Sequence, residues 1–482
     1  MAKRLFGWLT VRRLATAIIF LSVFTLAVRF AIDPDMWWHL KTGQTIVENR
    51  TIPREDIFSY TVNGRRWITH EWLTQIIMYG VYHVGNRAGL ILATAATVTA
   101  TFALVYMQCD SRPYIASFLI LLGAWASAIT WGPRPQMATF LLAALFMAFL
   151  EHYRRGGNRR VLWALPALMA LWVNLHGGYF LGLGLVGVVL AVDAAARIVN
   201  HTSERTLTWS RWRALALTLF LCILATLANP NTYHMLIYPF ETLGSNAMQV
   251  YIQEWHSPNF HEAIYLPFVM LLLGGAGILL LWGKRQVDLT DLALFLGFGF
   301  AGLLSVRHIP LFCVVAVPVV SRALGQIRIP TSRRGGQTAL NWVILLVLVA
   351  LAVFRTGDML GRNAQLEAEH YPIDALAYIE EHDLVDQRIY NSYNWGGYLI
   401  WSDIPVYIDG RADVYMDEFM NMYSQTYHLL GDWRGPLNDY DVDYILVEED
   451  IPLTYILEEA PEWNRVYRDD LAVIFVRESR DG

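Results

Sequence analysis

Apolar runs long enough to cross a bilayer recur along most of the chain, and they constrain the fold more than any motif does. Runs such as 161-VLWALPALMALWV, 212-WRALALTLFLCILATLA and 339-ALNWVILLVLVALAVF approach the roughly 20 residues that a helix needs to span a hydrocarbon core. Within lipid every backbone N–H and C=O must be satisfied inside the segment, so each run is expected to be a helix. Of the 482 residues 55% are hydrophobic and 16% are charged, against about 25% charged in ordinary soluble domains. The first run, Leu14 to Ile32, follows Lys3, Arg4, Arg12 and Arg13 and meets no small-residue cleavage site before Asp33-Pro34-Asp35. It reads as a retained span. Cys109, Cys222 and Cys313 lie in or beside apolar runs without metal-ligand spacing, which supports neither disulfides nor zinc. The net charge of −5 points to no nucleic-acid partner.

Orientation follows from where Lys and Arg sit, because cytoplasmic connections carry them in excess. The amino terminus, the stretch around Arg112, 151-EHYRRGGNRR, 197-RIVNHTSERTLTWSRWR, Lys284 with Arg285, and 322-RALGQIRIPTSRR form a basic set. Between them lie 131-WGPRPQ, 174-NLHGGYF, a long connection over 229–260 and 306-VRHIP, which are nearly devoid of Lys and Arg. The two sets alternate if 70-HEWLTQIIMYGVYHVG, interrupted by His70, Glu71 and His83, is a juxtamembrane or re-entrant helix on the outer side rather than a span. About eleven spans then result, over 13–32, 88–107, 113–130, 137–151, 161–174, 179–197, 212–228, 264–283, 288–305, 309–324 and 339–355. The expected fold is a polytopic α-helical membrane domain over 1–356, with an outer first loop at 33–87, and a soluble α/β domain over 357–482. This places a multi-pass chain in the bacterial inner membrane among its lipids, with the amino terminus cytoplasmic and the carboxyl-terminal domain outside.

In that last domain 373-IDALAYIEEH and 415-YMDEFMNMYSQTYHLL read as helices, and 388-RIYN, 405-PVYID, 443-DYILVE and 472-AVIFVR as strands. The loop 331-TSRRGGQ is an ordinary connection.

The densest polar constellation is 33-DPDMWWHLKTG at the outer end of the first span, where ionisable groups at membrane depth are costly unless used. The plain reading is an interfacial belt, with Trp37 and Trp38 as anchors and Asp33 capping the next helix. The functional reading makes Asp35, with Asp33, a general base for an acceptor hydroxyl or a ligand for a divalent cation, Mg or Mn. His39, one helical turn beyond Asp35, is the expected neighbour. In 67-WITHEWL, His70 and Glu71 open the juxtamembrane helix, where Glu71 also suits an ordinary first turn. Later spans add Arg134, Asn174, His176, Asn229, Arg307 and His308 on the same expected side. Each alone reads as a snorkelling or satisfied polar residue; together they supply polar groups to one face. Arg134 and Arg307, with His308, suit the phosphate of a lipid carrier, because a guanidinium presents paired donors to phosphate oxygens. In 391-NSYNWGGYLIW and 409-DGRADVY, Trp395, Tyr398, Asp409 and Arg411 are candidates for the acceptor. The structural alternative pairs Arg411 with Asp409 or Asp413.

A carboxylate motif closing the first span, a long outer loop with juxtamembrane helices, and a His-led motif before the second span resemble the GT-C superfamily of integral-membrane glycosyltransferases. That group includes protein O-mannosyltransferases, aminoarabinose transferases and oligosaccharyltransferase catalytic subunits. The resemblance implies a sugar donor on polyprenyl phosphate or pyrophosphate, a lipid, glycan or protein acceptor, and a catalytic first-loop acid, which falls on Asp35 or Asp33. The 70-HEWL segment is similar in place to an HPPL-like motif, with Glu71 and Trp72 where prolines are expected. The 393-YNWGGYLIW segment is similar to WWDYG, with Gly396 where an acid is expected. The whole combination also resembles a group of bacterial multi-span proteins. Rival readings are a transporter, an assembly factor and a surface-glycan ligase; transporters favour midplane charges and inverted repeats, which the sequence does not display.

Overall fold

The computed structural model describes residues 9–200, 202–282, 288–325 and 338–478. Lys3, Arg4, Lys284, Arg285 and residues 326–337, which carry part of the charge argument for orientation, lie outside the described residues. The chain forms two compact units. The first takes Met1–Arg29, Ile91–Leu236 and Gln253–Leu360, and the second takes Phe30–Leu90, Ile237–Ile252 and Gly361–Gly482. The loop 33–87, expected with the membrane domain, thus packs with the carboxyl-terminal residues.

Among the described residues eight helices are long and apolar enough to cross a membrane. The expected spans 13–32, 161–174 and 288–305 fold as the shorter helices Val11–Ala27, Ala164–Leu175 and Leu289–Leu304. Val11–Ala27, capped by Thr10, starts before its expected span and ends early at Ala27; Asp288 caps the first turn of Leu289–Leu304, and a 3-10 turn over Arg159–Trp163 precedes Ala164–Leu175. The helix Trp72–Met107 is broken at Asn86, where φ is 49° and ψ is −149°, so the stretch over 70–85 is distinct from the span that follows it.

Val306–Leu324 is the hub of the first unit, with 89% of its apolar window buried, whereas none of the Ala339–His370 window is. A helix that is apolar and uncovered finds its solvent in lipid. Gly123, in the helix Pro113–Ser127, permits close approach to the hub, since a Cβ there would come within 2.7 Å of the Val317 side chain. The basic connections are not bare charge. Arg154 meets Asp288 at 2.5 Å and Asp291 at 3.2 Å, Arg205 meets Glu151 at 2.5 Å and Asp291 at 2.6 Å, and Arg322 meets Asp291 at 2.9 Å. This network ties the ends of three helices together, and removing one partner of such a buried set costs about 3–5 kcal/mol.

The second unit carries a four-stranded sheet of β1 (Ile389–Asn391), β2 (Tyr444–Glu448), β3 (Trp463–Arg468) and β4 (Ala472–Arg477), in the order β1-β2-β4-β3. β1 runs parallel to β2, and the other pairs are antiparallel. The helices Ile373–Glu381 and Ala412–Tyr427 match the expected pair, the second interrupted at Met416 with φ 63°. One expected strand is corrected. The 405-PVYID segment joins no ladder of the sheet, because other groups satisfy its backbone. Val406 N donates to the Phe58 carbonyl at 3.1 Å and its own carbonyl accepts from Tyr60 N at 3.2 Å, while the Asn391 side chain bonds Tyr407 N at 2.9 Å and the Ile408 carbonyl at 2.8 Å.

Candidate active site

The local sequence Asp-Pro-Asp sets the geometry of the second unit's site. Asp33 caps the helix Pro34–Asn49, its Oδ1 accepting from Asp35 N at 3.0 Å, with Pro34 supplying a ready-made first-turn φ. Asp35 is partly exposed in that first turn, and its Oδ1 accepts from Trp38 Nε1 at 3.1 Å. The same carboxylate oxygen lies against Gly410, where any Cβ would overlap it. Gly397 likewise admits the Pro34 carbonyl, and Gly396 the Ile408 carbonyl. The two glycine motifs of the last domain are therefore the floor on which the Asp-Pro-Asp turn rests.

Trp37 is not an interfacial anchor. It is fully buried and ringed edge-on by Tyr82, Tyr371 and Tyr398 at centroid distances of 6.4, 5.9 and 5.0 Å, arrangements that favour aromatic packing. Tyr398 stacks on Tyr371 at 4.7 Å, and Trp395 is buried with its Nε1 donating to the His370 carbonyl at 3.1 Å. Trp395 is thus a core residue, and Tyr398 is half-buried against Trp37 and Tyr371.

Asp409 and Arg411 form the ion pair that the structural alternative expects. Arg411 grips Asp409 through Nε and Nη2 at 2.7 and 2.6 Å and meets Asp56 at 2.5 Å, with all three side chains 0% exposed. Tyr415 donates to Asp409 at 2.7 Å, and the guanidinium lies over the rings of Phe58 and Trp67 at 5.1 and 4.8 Å. Burial alone would lower the Arg411 pKa, but the Asp409 carboxylate raises it instead. The pair is wholly shut from solvent.

His39 and His70 flank Glu71, with Nε2 to carboxylate distances of 3.7 and 3.2 Å. The amide nitrogen of Gln75 lies 3.3 Å from Nδ1 of His39. The ring of His70 faces Tyr238 at 4.4 Å, and Tyr238 donates to Asp413 at 3.5 Å. Burial works to lower the His70 pKa, but the Glu71 charge and hydrogen bond, with Asp413 behind, raise it above the ordinary value. Burial raises the Asp413 carboxyl, more than His70 and Arg411 lower it. His39 contacts Glu71, Gln75 and the ring of Trp38. Among the described residues no three His, Cys, Asp or Glu side chains are grouped to hold a metal ion.

The first unit holds the remaining candidates. Arg134 Nη1 donates to Glu254 at 2.6 Å, and Arg307 lies over the ring of Trp255 at 4.4 Å. His308 ends the 3-10 turn Val306–His308 beside Arg307. Asn174 is buried and bonds back to the Ala170 carbonyl at 2.8 Å. His176 pairs with Thr139 at 2.7 Å and accepts from Gly178 N at 2.9 Å, and Asn229 donates to the Val173 carbonyl at 2.9 Å. These three act as local fasteners of helix ends.

No family model matches the chain, and no curated protein matches it by sequence. Solved structures do match it in fold. ArnT from Cupriavidus metallidurans, bound to undecaprenyl phosphate, superposes with a TM-score of 0.53 at 15% identity over 97% of this chain and 97% of that one. The Archaeoglobus fulgidus oligosaccharyltransferase, tethered with an acceptor peptide containing the NVT sequon, gives 0.56 at 11% identity over 98% of this chain and 75% of that one.

The chain has the GT-C fold.

Within the GT-C fold several residues go beyond those that motif and charge single out. Asp56, Gly410, Tyr238, Asp413, Glu254 and Trp255 each complete a contact made by a motif residue. Gly410 stood inside 409-DGRADVY, and a glycine between two charged residues is the one signal that pointed to a close approach. Asp56 lies in a loop, Tyr238 in the helix His234–Gly244 and Glu254 in a 3-10 turn, each with a partner remote in sequence, and nothing local marks them.

Proposed function

We propose that this GT-C-fold protein is a glycosyltransferase of the bacterial inner membrane that moves a sugar from a polyprenyl-phosphate or pyrophosphate carrier to an acceptor hydroxyl outside the cytoplasm. Asp35 carries the reading. Of the acids in its unit, Asp409 is closed into an ion pair and Glu71 is held between two histidines, whereas Asp35 is partly exposed and fixed by Trp38 and Gly410. A base needs this combination of access and restraint.

Asp35 takes the proton of the acceptor hydroxyl while the oxygen bonds the anomeric carbon. The bond from that carbon to the carrier's phosphate oxygen breaks, and its electron pair leaves with the phosphate. One displacement inverts the anomeric centre. A phosphate leaves as an anion without a general acid, so one carboxylate suffices where glycosidases need two. Arg134 and Arg307 bind the phosphate, and His70 and Glu71 orient the acceptor. The carrier and peptide seen with the two solved structures support a lipid-linked donor and a separate acceptor.

Replacing Asp35 with Asn is expected to lower transfer about 1,000-fold or more, as loss of a catalytic base does, with membrane insertion and melting temperature retained. Transfer by the Asp35→Asn protein at near the native rate removes the assignment.

A further inference from the structure

One short turn of the first unit engages both arginines assigned to the phosphate. The 3-10 turn Gln253–Trp255 lays the Glu254 carboxylate on Arg134 at 2.6 Å and the Trp255 ring under Arg307 at 4.4 Å. Its main chain is pinned to the residues just before Arg307. Ser305 Oγ donates to the Glu254 carbonyl at 2.8 Å, Val306 N to the His256 carbonyl at 3.0 Å, and Ser257 Oγ to the Leu304 carbonyl at 3.2 Å. With the backbone fixed, the rotatable element is the Glu254 side chain.

The pair is built to exchange. Arg134 and Glu254 are 20% and 28% exposed, and an ion pair reached by water shifts an equilibrium by no more than about fivefold. A guanidinium offers the same fork of donors to carboxylate and to phosphate. A carboxylate on that fork is an internal stand-in for the anion.

We propose that Glu254 is a donor-site residue whose carboxylate competes with the lipid-linked phosphate for Arg134, while Trp255 keeps Arg307 in place during the exchange. This rests on the reading of Arg134 and Arg307 as phosphate ligands. When the donor binds, Glu254 rotates towards water; after transfer the same carboxylate returns to Arg134 and helps expel the spent carrier phosphate. Glu254 therefore weakens carrier binding in order to permit turnover.

The test is a titration of the full chain in nanodiscs of zwitterionic phospholipid with undecaprenyl phosphate, and with uncharged undecaprenol as the control. Glu254→Gln is expected to bind undecaprenyl phosphate about threefold to fivefold tighter, the size of a water-reached ion pair, with undecaprenol unchanged. Glu254→Asp, too short to reach Arg134 in the same pose, is expected in between and guards against a misfolded Gln variant. Arg134→Gln weakens phosphate binding, and adding Glu254→Gln to it changes nothing further, because the two act through one contact. If Arg134→Gln weakens binding but Glu254→Gln does not tighten it, the competition is refuted and the phosphate assignment stands. Equal tightening for undecaprenol also refutes it, as an effect on the lipid tail. If Arg134→Gln binds like the native protein, the phosphate assignment itself fails and the competition with it.

Discussion

Arg411 and Arg134 both stand in motifs that suggested ligand binding, and both are found on carboxylates, yet their surroundings give them opposite roles. Arg411 is bidentate to Asp409, also paired to Asp56, and wholly shut from solvent. Arg134 donates to the Glu254 carboxylate at a place water reaches. A desolvated charge cannot give up its partner without exposing an uncompensated ion to a poor dielectric, while a half-exposed one trades partners at little cost. Accessibility, not residue type, separates a closed ion pair from one open to exchange here.

The sharpest way to break this contrast is to remove each cation in turn. Arg411→Met is expected to cost about 3–5 kcal/mol by stranding Asp409 and Asp56, visible as a large drop in melting temperature of the full chain. Arg134→Gln should change stability by less than about 1 kcal/mol. Equal melting losses would erase the distinction. A smaller effect should come from Gly410→Ala, whose methyl overlaps the Asp35 carboxylate. Displacing a base by about 1 Å costs about 100-fold in turnover, with little change in melting because Asp35 can swing aside. A protein that melts early and keeps its turnover would instead make Gly410 a folding residue. The smallest effect concerns pH. The folded pKa of His70 is raised above 6.5, so its contribution to stability is complete below that pH and is lost as pH climbs through the raised value. The raised Asp413 carboxyl works in the same direction above 3.8. His70→Gln should flatten the decline in stability on the alkaline side; an unchanged profile would detach His70 from it.

The membrane helices were legible because lipid leaves a long apolar run few alternatives, and the Asp33 cap because Asp-Pro is a local signal. Span lengths were less so, since the cap at Asp288 and the 3-10 turn at Arg159 trim helices without altering hydropathy. The strand Trp463–Arg468 was missed because its WNRVYR sequence is mostly polar and its strand is largely uncovered, leaving no apolar alternation to read. The 405-PVYID segment misled for the opposite reason. It has a strand's composition, but its partners are Phe58, Tyr60 and the Asn391 side chain. Asp35 was visible as a candidate; the glycine that seats it was a residue in a motif without a role until the two were seen together.

The contacts that close the second unit reach far along the chain. Thr61 bonds the Tyr407 carbonyl and Tyr60 the Ile389 carbonyl, separations of 346 and 329 residues. During synthesis, the loop bearing Asp35 leaves the ribosome long before Gly410 exists. Such non-local pairing makes folding slow and late, so the Asp-Pro-Asp turn acquires its seat among the last events of biogenesis. A chain stopped before residue 361 would insert most of its membrane helices and still leave Asp35 without Gly410 beneath it.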